Sequence, residues 1–400
     1  MLLSMSWRNV WRNARRSIIT MTALSFGVAG IVGMYSYREL TYGVMVRDIT
    51  TGLVGHLQVH GKGYQDAPSI GTLVANPLQV EAVLQGALPG AKTERRVIGA
   101  GLAGSGDRSA PVMVLGVEPG ATALYRMSAG QDFTGQPHEV LIGKDLATEL
   151  DVGVGGELVL VSQGADGSVA NDRYVVSGTF TSSSAELDGT AVALPLAEAQ
   201  SFFALGEGVH QLVVRLPVDR EDVGPEVNAL RAALDVKTLE ALSWTEMLPQ
   251  MKASMDTKRR SQGVMDFVIF LIVGLGVFNA MTMAVFERTR EFGVLASLGT
   301  RPSRILAMVM LEAFWQAGLA FVIGVSLAAL GLYGWGTVDL SAMMQGDVMG
   351  VRMPTKLELG LDPRALGGAA FTAFFTAFAG AFFPALRAAR LRPVEALRHT

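Results

Sequence analysis

SIITMTALSFGVAGIVGMYSY, residues Ser17–Tyr37, runs without a single charge between Arg16 and Arg38. A hydrocarbon core of about 30 Å takes roughly 20 apolar residues as helix, so this run is long enough to cross a bilayer. Three further uncharged stretches, Phe267–Phe286, Ala313–Val338 and Ala365–Leu386, meet the same length, and a polar segment separates the first from these three. That spacing predicts a membrane protein with a large external domain between its first and second spans. The basic residues ahead of Ser17 also suit a secretory signal peptide, but the apolar run exceeds the roughly 7–15 residues usual there, which favours a retained span.

Composition agrees. Half the residues are hydrophobic, 17% are charged, and mean hydropathy is +0.35 despite the polar centre. A net charge of −3 gives no electrostatic footprint for nucleic acid. Without cysteine, a disulfide framework, a thiolate metal site and a cysteine nucleophile are all excluded.

Lysine and arginine near span ends are retained on the cytoplasmic side. Arg8, Arg12, Arg15 and Arg16 precede the first span; Arg288, Arg290, Arg301 and Arg304 follow the second; Arg387, Arg390, Arg392 and Arg398 follow the fourth. Four spans put all three clusters on one side, so both termini are expected in the cytoplasm. Lys258, Arg259 and Arg260 fall on the other side, where long translocated domains escape the rule. The expected order is a tail and first span over 1–37, an external domain over 38–263, a span at 264–286, a cytoplasmic loop at 287–304, a span at 305–338, an external loop at 339–364, a span at 365–386 and a tail at 387–400.

The external domain reads as mixed α and β. Alternating or β-branched runs at Gly55–His60, Val112–Val117, Glu157–Ser162, Arg173–Phe180 and Gln211–Leu216 predict strands, and Lys144–Leu150 and Pro225–Leu234 predict helices. Two lobes are expected, over about 40–125 and, barrel-like, about 138–217. Ser243 followed by Glu246 has capping-box spacing, so a stalk helix is expected from about 243 into the second span, either continuous or restarted at Pro249.

No catalytic constellation emerges. His56 and His60 are four residues apart in an extended run, roughly 13 Å, too far to share one ion, and are read as packing or surface histidines. Gly61–Lys62–Gly63 and Gly143–Lys144 lack the spacing of a phosphate loop, so neither ATP nor another cofactor nor an enzymatic activity is expected on this chain. Asp266 and Glu312, near span ends, are read as snorkelling acids, with Asn279 deeper. In the fourth span Ala369, Ala373, Ala377 and Ala381 make a small-residue ridge opposite Phe371, Phe374, Phe375, Phe378 and Phe382, suited to close helix packing within the subunit or between subunits; Ala29 and Gly33 give a weaker instance. The loop ERTREFGVLASLGTRPSRI, from Glu287, carries Phe292, Val294, Leu295 and Leu298 at helical spacing before Gly299 and Pro302, and predicts a short amphipathic helix beside the membrane.

With REFGVLASLG at Arg290–Gly299, PALRAARLRPVEALR at Pro384–Arg398 and EVLIGKDLATELDVGVGGELVLV at Glu139–Val161 in view, the chain resembles the ABC-transporter permeases related to MacB, LolC, LolE and FtsX over nearly its whole length. The resemblance implies a periplasmic domain between the first two of four spans, a permease dimer, an inner-membrane location and a separate cytoplasmic ATPase holding ATP and Mg²⁺. It further implies that Glu287, Arg288, Arg290, Glu291, Phe292, Gly293, Leu295, Leu298 and Gly299 belong to an ATPase-coupling helix, and that Pro393, Glu395, Leu397 and Arg398 belong to a cytoplasmic tail signature. No ATPase domain is recognised in the chain, unlike MacB itself. The leading expectation is release of lipoproteins from the inner membrane; the alternatives are efflux of amphiphiles or peptides with a periplasmic adaptor, and FtsX-like control of a cell-wall hydrolase. A periplasmic carrier or adaptor and membrane lipid are the remaining expected partners.

Overall fold

The computed structural model describes residues 2–12, 14–120, 124–182, 184–217, 221–339, 356–358, 361 and 363–390. The expected loop 339–364 lies largely outside them, as does the tail beyond Arg390. The chain divides into a helical unit within Met1–Thr41, Met255–Asp339 and Lys356–Thr400, and an α/β unit within Tyr42–Ser254 and Leu340–Thr355.

Helices α1 (Leu2–Arg12) and α2 (Ala14–Thr51) come first, and α2 runs well past Tyr37. The α/β unit continues with β1 (Leu57–Gly61), α3 (Pro77–Ala87), β2 (Lys92–Ser105), β3 (Arg108–Val117), β4 (Arg126–Gly130), β5 (Glu139–Gly143), α4 (Lys144–Glu149) and β6 (Glu157–Gln163). Then follow β7 (Val169–Thr181), α5 (Ala185–Thr190), β8 (Ala191–Pro195), α6 (Leu196–Phe202), β9 (Gln211–Arg215), α7 (Gly224–Ala233), β10 (Leu239–Ser243) and α8 (Trp244–Met247). Helices α9 (Pro249–Glu287), α10 (Thr289–Ser297) and α11 (Pro302–Trp335), the strand pair β11 (Thr337–Asp339) and β12 (Lys356–Glu358), and α12 (Pro363–Ala389) complete the chain. Four of these helices, α2, α9, α11 and α12, are long and apolar enough to cross a membrane.

Within the α/β unit, β10, β1, β9 and β2 form an antiparallel sheet in that order. With α3 after β1 and α7 before β10, this is a βαββαβ arrangement of the ferredoxin-like kind. The long strand β2 serves a second layer: Lys92–Arg96 pair with β9, while Val97–Ser105 pair with β3. From there β3 pairs with β8, β8 with β5, β5 with β7, β7 with β6, and β6 returns to β2. The ring closes a six-stranded barrel filled by Leu115, Val117, Leu141, Phe180, Ala191 and Ala193, as closure of a small barrel requires. Gly99 is one point of close approach, because a Cβ there would enter the buried Phe203 ring.

The two lobes are therefore nested rather than consecutive. The barrel takes β2 and β3 from the expected first lobe, and β9, at the end of the expected second lobe, returns to the first sheet. Periodicity reports which residues are strands but not that residues 92–96 meet residues 211–215. The stalk also starts later than residue 243. Ser243 does form the capping box, its hydroxyl accepting from the Glu246 N–H at 3.3 Å while Glu246 Oε2 accepts from the Ser243 N–H at 2.8 Å. That helix stops at Met247, and Leu248 leaves the helical region (φ −119°, ψ 61°). The Pro249 ring disfavours helix in the residue before it but fits the first turn of a new one.

In the helical unit the small ridge of α12 faces inward: Ala369, Ala373, Ala377 and Ala381 are all buried, whereas Phe371, Phe375, Phe378 and Phe382 face outward. Phe374, expected with them, turns instead against Phe314 and Phe321 of α11, its ring 5.2 and 6.4 Å from theirs. The ridge packs against neighbouring helices of the same chain, with Ala369 and Ala373 beside Val28 and Val32 of α2, and Ala381 beside Val277 of α9. In the first span the close approach lies at Gly27, not Gly33: a Cβ on Gly27 would come within 2.7 Å of a Val273 methyl, while one on Gly33 would meet nothing within 4 Å. Gly324 of α11 sits equally close to Ser25 and Val28.

Candidate functional site

The loop between the second and third spans folds as the turn α9–α10–α11. Gly299 (φ +82°) ends α10, its N–H donating to the Ala296 carbonyl and the Thr300 N–H to the Leu295 carbonyl, both at 3.0 Å. This pair of bonds is a Schellman stop, which needs the left-handed backbone that glycine adopts without strain. Pro302 then opens α11.

One face of α10 is turned inward. Phe292 is buried with Val285, Ile305, Met308, Val309, Ala385 and Ala388, Leu295 and Ala296 pack against the same cluster, and Gly293 is also buried. The opposite side shows Arg290, Val294 and Leu298, and Glu287 is exposed at the end of α9. Leu295 also borders a cavity of about 800 Å³ with Leu3, Met5, Arg304, Ile305 and Leu311 among its lining.

Arg288, between α9 and α10, is the hub. Its Nε donates to Glu291 Oε2 at 3.0 Å, its terminal nitrogen donates to Glu312 Oε2 at 2.9 Å, and its guanidinium lies 5.2 Å from the centre of the Phe292 ring. Glu291 is held from its other side by Arg12, at the end of α1. Partial burial works to raise the Glu291 pKa, but bonds from Arg12 and Arg288 outweigh it and hold the carboxyl below its ordinary value. Helix α1 is anchored in turn by Trp7, edge-on to Trp315 of α11 at 5.2 Å.

Snorkelling does not describe the two membrane-edge acids. Glu312 is buried against Arg288, and Asp266 lies 3.6 Å from Arg38, whose guanidinium covers Tyr35. Both face partners inside the bundle, because each finds a cation there that replaces the water it would otherwise reach for. Pro393, Glu395, Leu397 and Arg398 lie outside the described residues.

A second charged cluster had no signal in local sequence. In the α/β unit Arg96 is completely buried and donates to the Leu53 carbonyl, while Arg215 donates to the Thr51 and Gly52 carbonyls at 3.2 and 3.1 Å. Two arginines thus cap the end of α2, where free carbonyls and the helix dipole attract cations. Glu94 bridges both; their charges and hydrogen bonds outweigh its burial and lower its pKa. The start of α9 is seated likewise, Lys252 pairing with Glu221 at 2.7 Å while the buried Trp244 donates to the Glu221 carbonyl at 3.1 Å. Among the described residues no group of His, Cys, Asp or Glu could hold a metal ion.

Residues 17–230 match the MacB-like periplasmic core domain, and residues 263–393 match the FtsX-like permease C-terminal domain. The chain belongs to the MacB- and FtsX-like family of ABC-transporter permeases. The permease is 25% identical over 418 aligned positions to the pyoverdine export ATP-binding/permease protein PvdT of Pseudomonas aeruginosa, covering 98% of this chain and 58% of that protein. It is 26% identical to the macrolide export ATP-binding/permease protein MacB of Nitrobacter winogradskyi, covering 96% and 58%. Against the lipoprotein-releasing system transmembrane protein LolC of Xylella fastidiosa it is 24% identical, covering 74% of each. The permease therefore spans 58% of the length of the PvdT and MacB relatives. The solved periplasmic region of MacB from Actinobacillus actinomycetemcomitans aligns with a TM-score of 0.36 and 9% identity, covering 49% of this chain and 92% of that one.

Proposed function

We propose that the permease is powered in trans. A separate cytoplasmic ATPase, holding ATP and Mg²⁺, seats on the outward side of α10, and its closure is passed through the helical unit to the α/β unit on the periplasmic side of the inner membrane. The observation that carries this reading is the two-sided character of α10. One face is fixed by Phe292, Arg288 and Glu291, while the other ends in Leu298, 78% exposed beside Val294. A lone exposed leucine is ordinary; at the end of a tethered amphipathic helix it suits a partner's apolar groove. That α2 and α9 each continue across the division between the two units supports transmission along helices. A second permease subunit, identical or related, completes the assembly, with lipid around the outward phenylalanines of α12.

The cargo is an amphiphile taken up outside the membrane; the acids Asp266 and Glu312 are each engaged with a cation rather than free to line a path for ions. Lipoprotein release is the leading case. Export of a small amphiphile through an adaptor gains weight from the comparisons, because the relatives named for pyoverdine and macrolide export align over 98% and 96% of the chain and LolC over 74%. Leu298→Glu should leave the chain folded and inserted but remove the ATPase that co-purifies with the wild type in mild detergent. Retention of that ATPase by the variant would refute docking at α10. Mass spectrometry of the same wild-type preparation separates the cargoes: a lipoprotein or its carrier supports release, an adaptor supports export, and a cell-wall hydrolase marks an FtsX-like regulator.

A further inference from the structure

We infer that Glu312 and Arg288 are positioning residues for energy coupling, and that the chain of charges Arg12–Glu291–Arg288–Glu312 is the connection through which movement of α10 reaches α11. The inference rests on the docking role of α10 and names how that site is wired. Arg288 lies in the turn between α9 and α10, so any tilt of α10 about that turn moves its guanidinium. That guanidinium is shared between Glu291, on α10 itself, and Glu312, eleven residues into α11. Glu312 and Arg288 are both more than nine-tenths buried, so neither can exchange its partner for water as α10 moves. The connection also reaches α1, where Arg12 pairs with Glu291 at the surface, and α1 packs on α11 through Trp7 and Trp315. Displacing α10 thus either carries α11 along or breaks a buried ion pair. Packing alone does not supply this: Phe292 slides against aliphatic neighbours with little directional preference, whereas a forked guanidinium between two carboxylates fixes orientation.

A purely structural pair can be told apart by removing both charges. Replacing one partner leaves an uncompensated buried charge, while replacing both with apolar or neutral groups of similar shape restores much of the stability. The experiment compares Arg288→Met, Glu312→Gln and the double variant in the full chain in nanodiscs, with and without the ATPase that co-purifies with the wild type. Expected for the double variant are a melting temperature near that of the wild type, retained ATPase, amide exchange in α10 about tenfold faster, and stimulation of ATP hydrolysis by the chain, relative to the ATPase alone, reduced about tenfold. Wild-type exchange in α10 would overturn the tether, and wild-type stimulation would overturn its role in coupling. Failure of the wild-type chain to hold any ATPase would instead sink the docking assignment, and the exchange data would still report on the tether without it.

Discussion

His60 lies wholly inside the α/β unit, its Nε2 2.6 Å from Gln58 Oε1, its ring 5.2 Å from that of Tyr64 and its Nδ1 3.9 Å from Glu240. Burial strips water from the imidazolium and pushes the pKa down to about 4. His210, stacked on the other side of Tyr64, is lowered by burial too, against the opposing pull of the Ile70 carbonyl. With an unfolded pKa near 6.5, the unfolded chain binds a proton that folded His60 refuses. Stability is therefore complete above pH 6.5 and is lost as pH falls toward 4, by about 3 kcal/mol from His60 alone. His60→Gln should flatten that part of the unfolding free energy between pH 6.5 and 4 without a new metal or cofactor dependence. An unchanged slope would mean that the imidazole is protonated in the folded protein. His56 and His60 are both buried, one of the two roles read from their spacing. Their complete burial depends on β9 and β10 on either side of β1, which local sequence does not report.

Helices were the most legible elements, and their partners the least. The α12 ridge follows from a four-residue period within one segment, and the stop of α10 from a glycine and a proline three residues apart. Gly27 and Gly324 carry no comparable pattern, since each is small on account of a side chain or carbonyl on another helix. Glu312 was misread for the same reason: its cation is 24 residues away, across the α10 turn. Two substitutions on α12 separate its faces. Ala373→Leu should add volume where none is free and cost about 1–3 kcal/mol, visible as a lower melting temperature and lost assembly in detergent. Phe375→Ala, on the outward face, should leave both unchanged. Equal tolerance of the two would show that the ridge does not set the packing of the bundle.

At the scale of the whole molecule, the proposed drive by an ATPase requires helices to move against each other, and among the described residues α2 and α9 are the two that enter both units. Their closest approach within the helical unit offers a direct test. A Cβ built on Gly27 lies 3.7 Å from the Cβ of Val273, within the separation a disulfide needs. Replacing Val273 also removes the methyl that would crowd the new side chain. Because the chain has no cysteine, Gly27→Cys with Val273→Cys creates a single defined cross-link. Oxidation should lock α2 to α9 without unseating the ATPase, abolish cargo-dependent stimulation of ATP hydrolysis, and be reversed by reductant. The reduced double variant serves as its own control for damage by the substitutions. If the oxidised protein still responds to cargo, α2 and α9 travel as one body at this depth, and the working motion has to lie between that pair and α11 with α12, where Glu312 then becomes the point of entry.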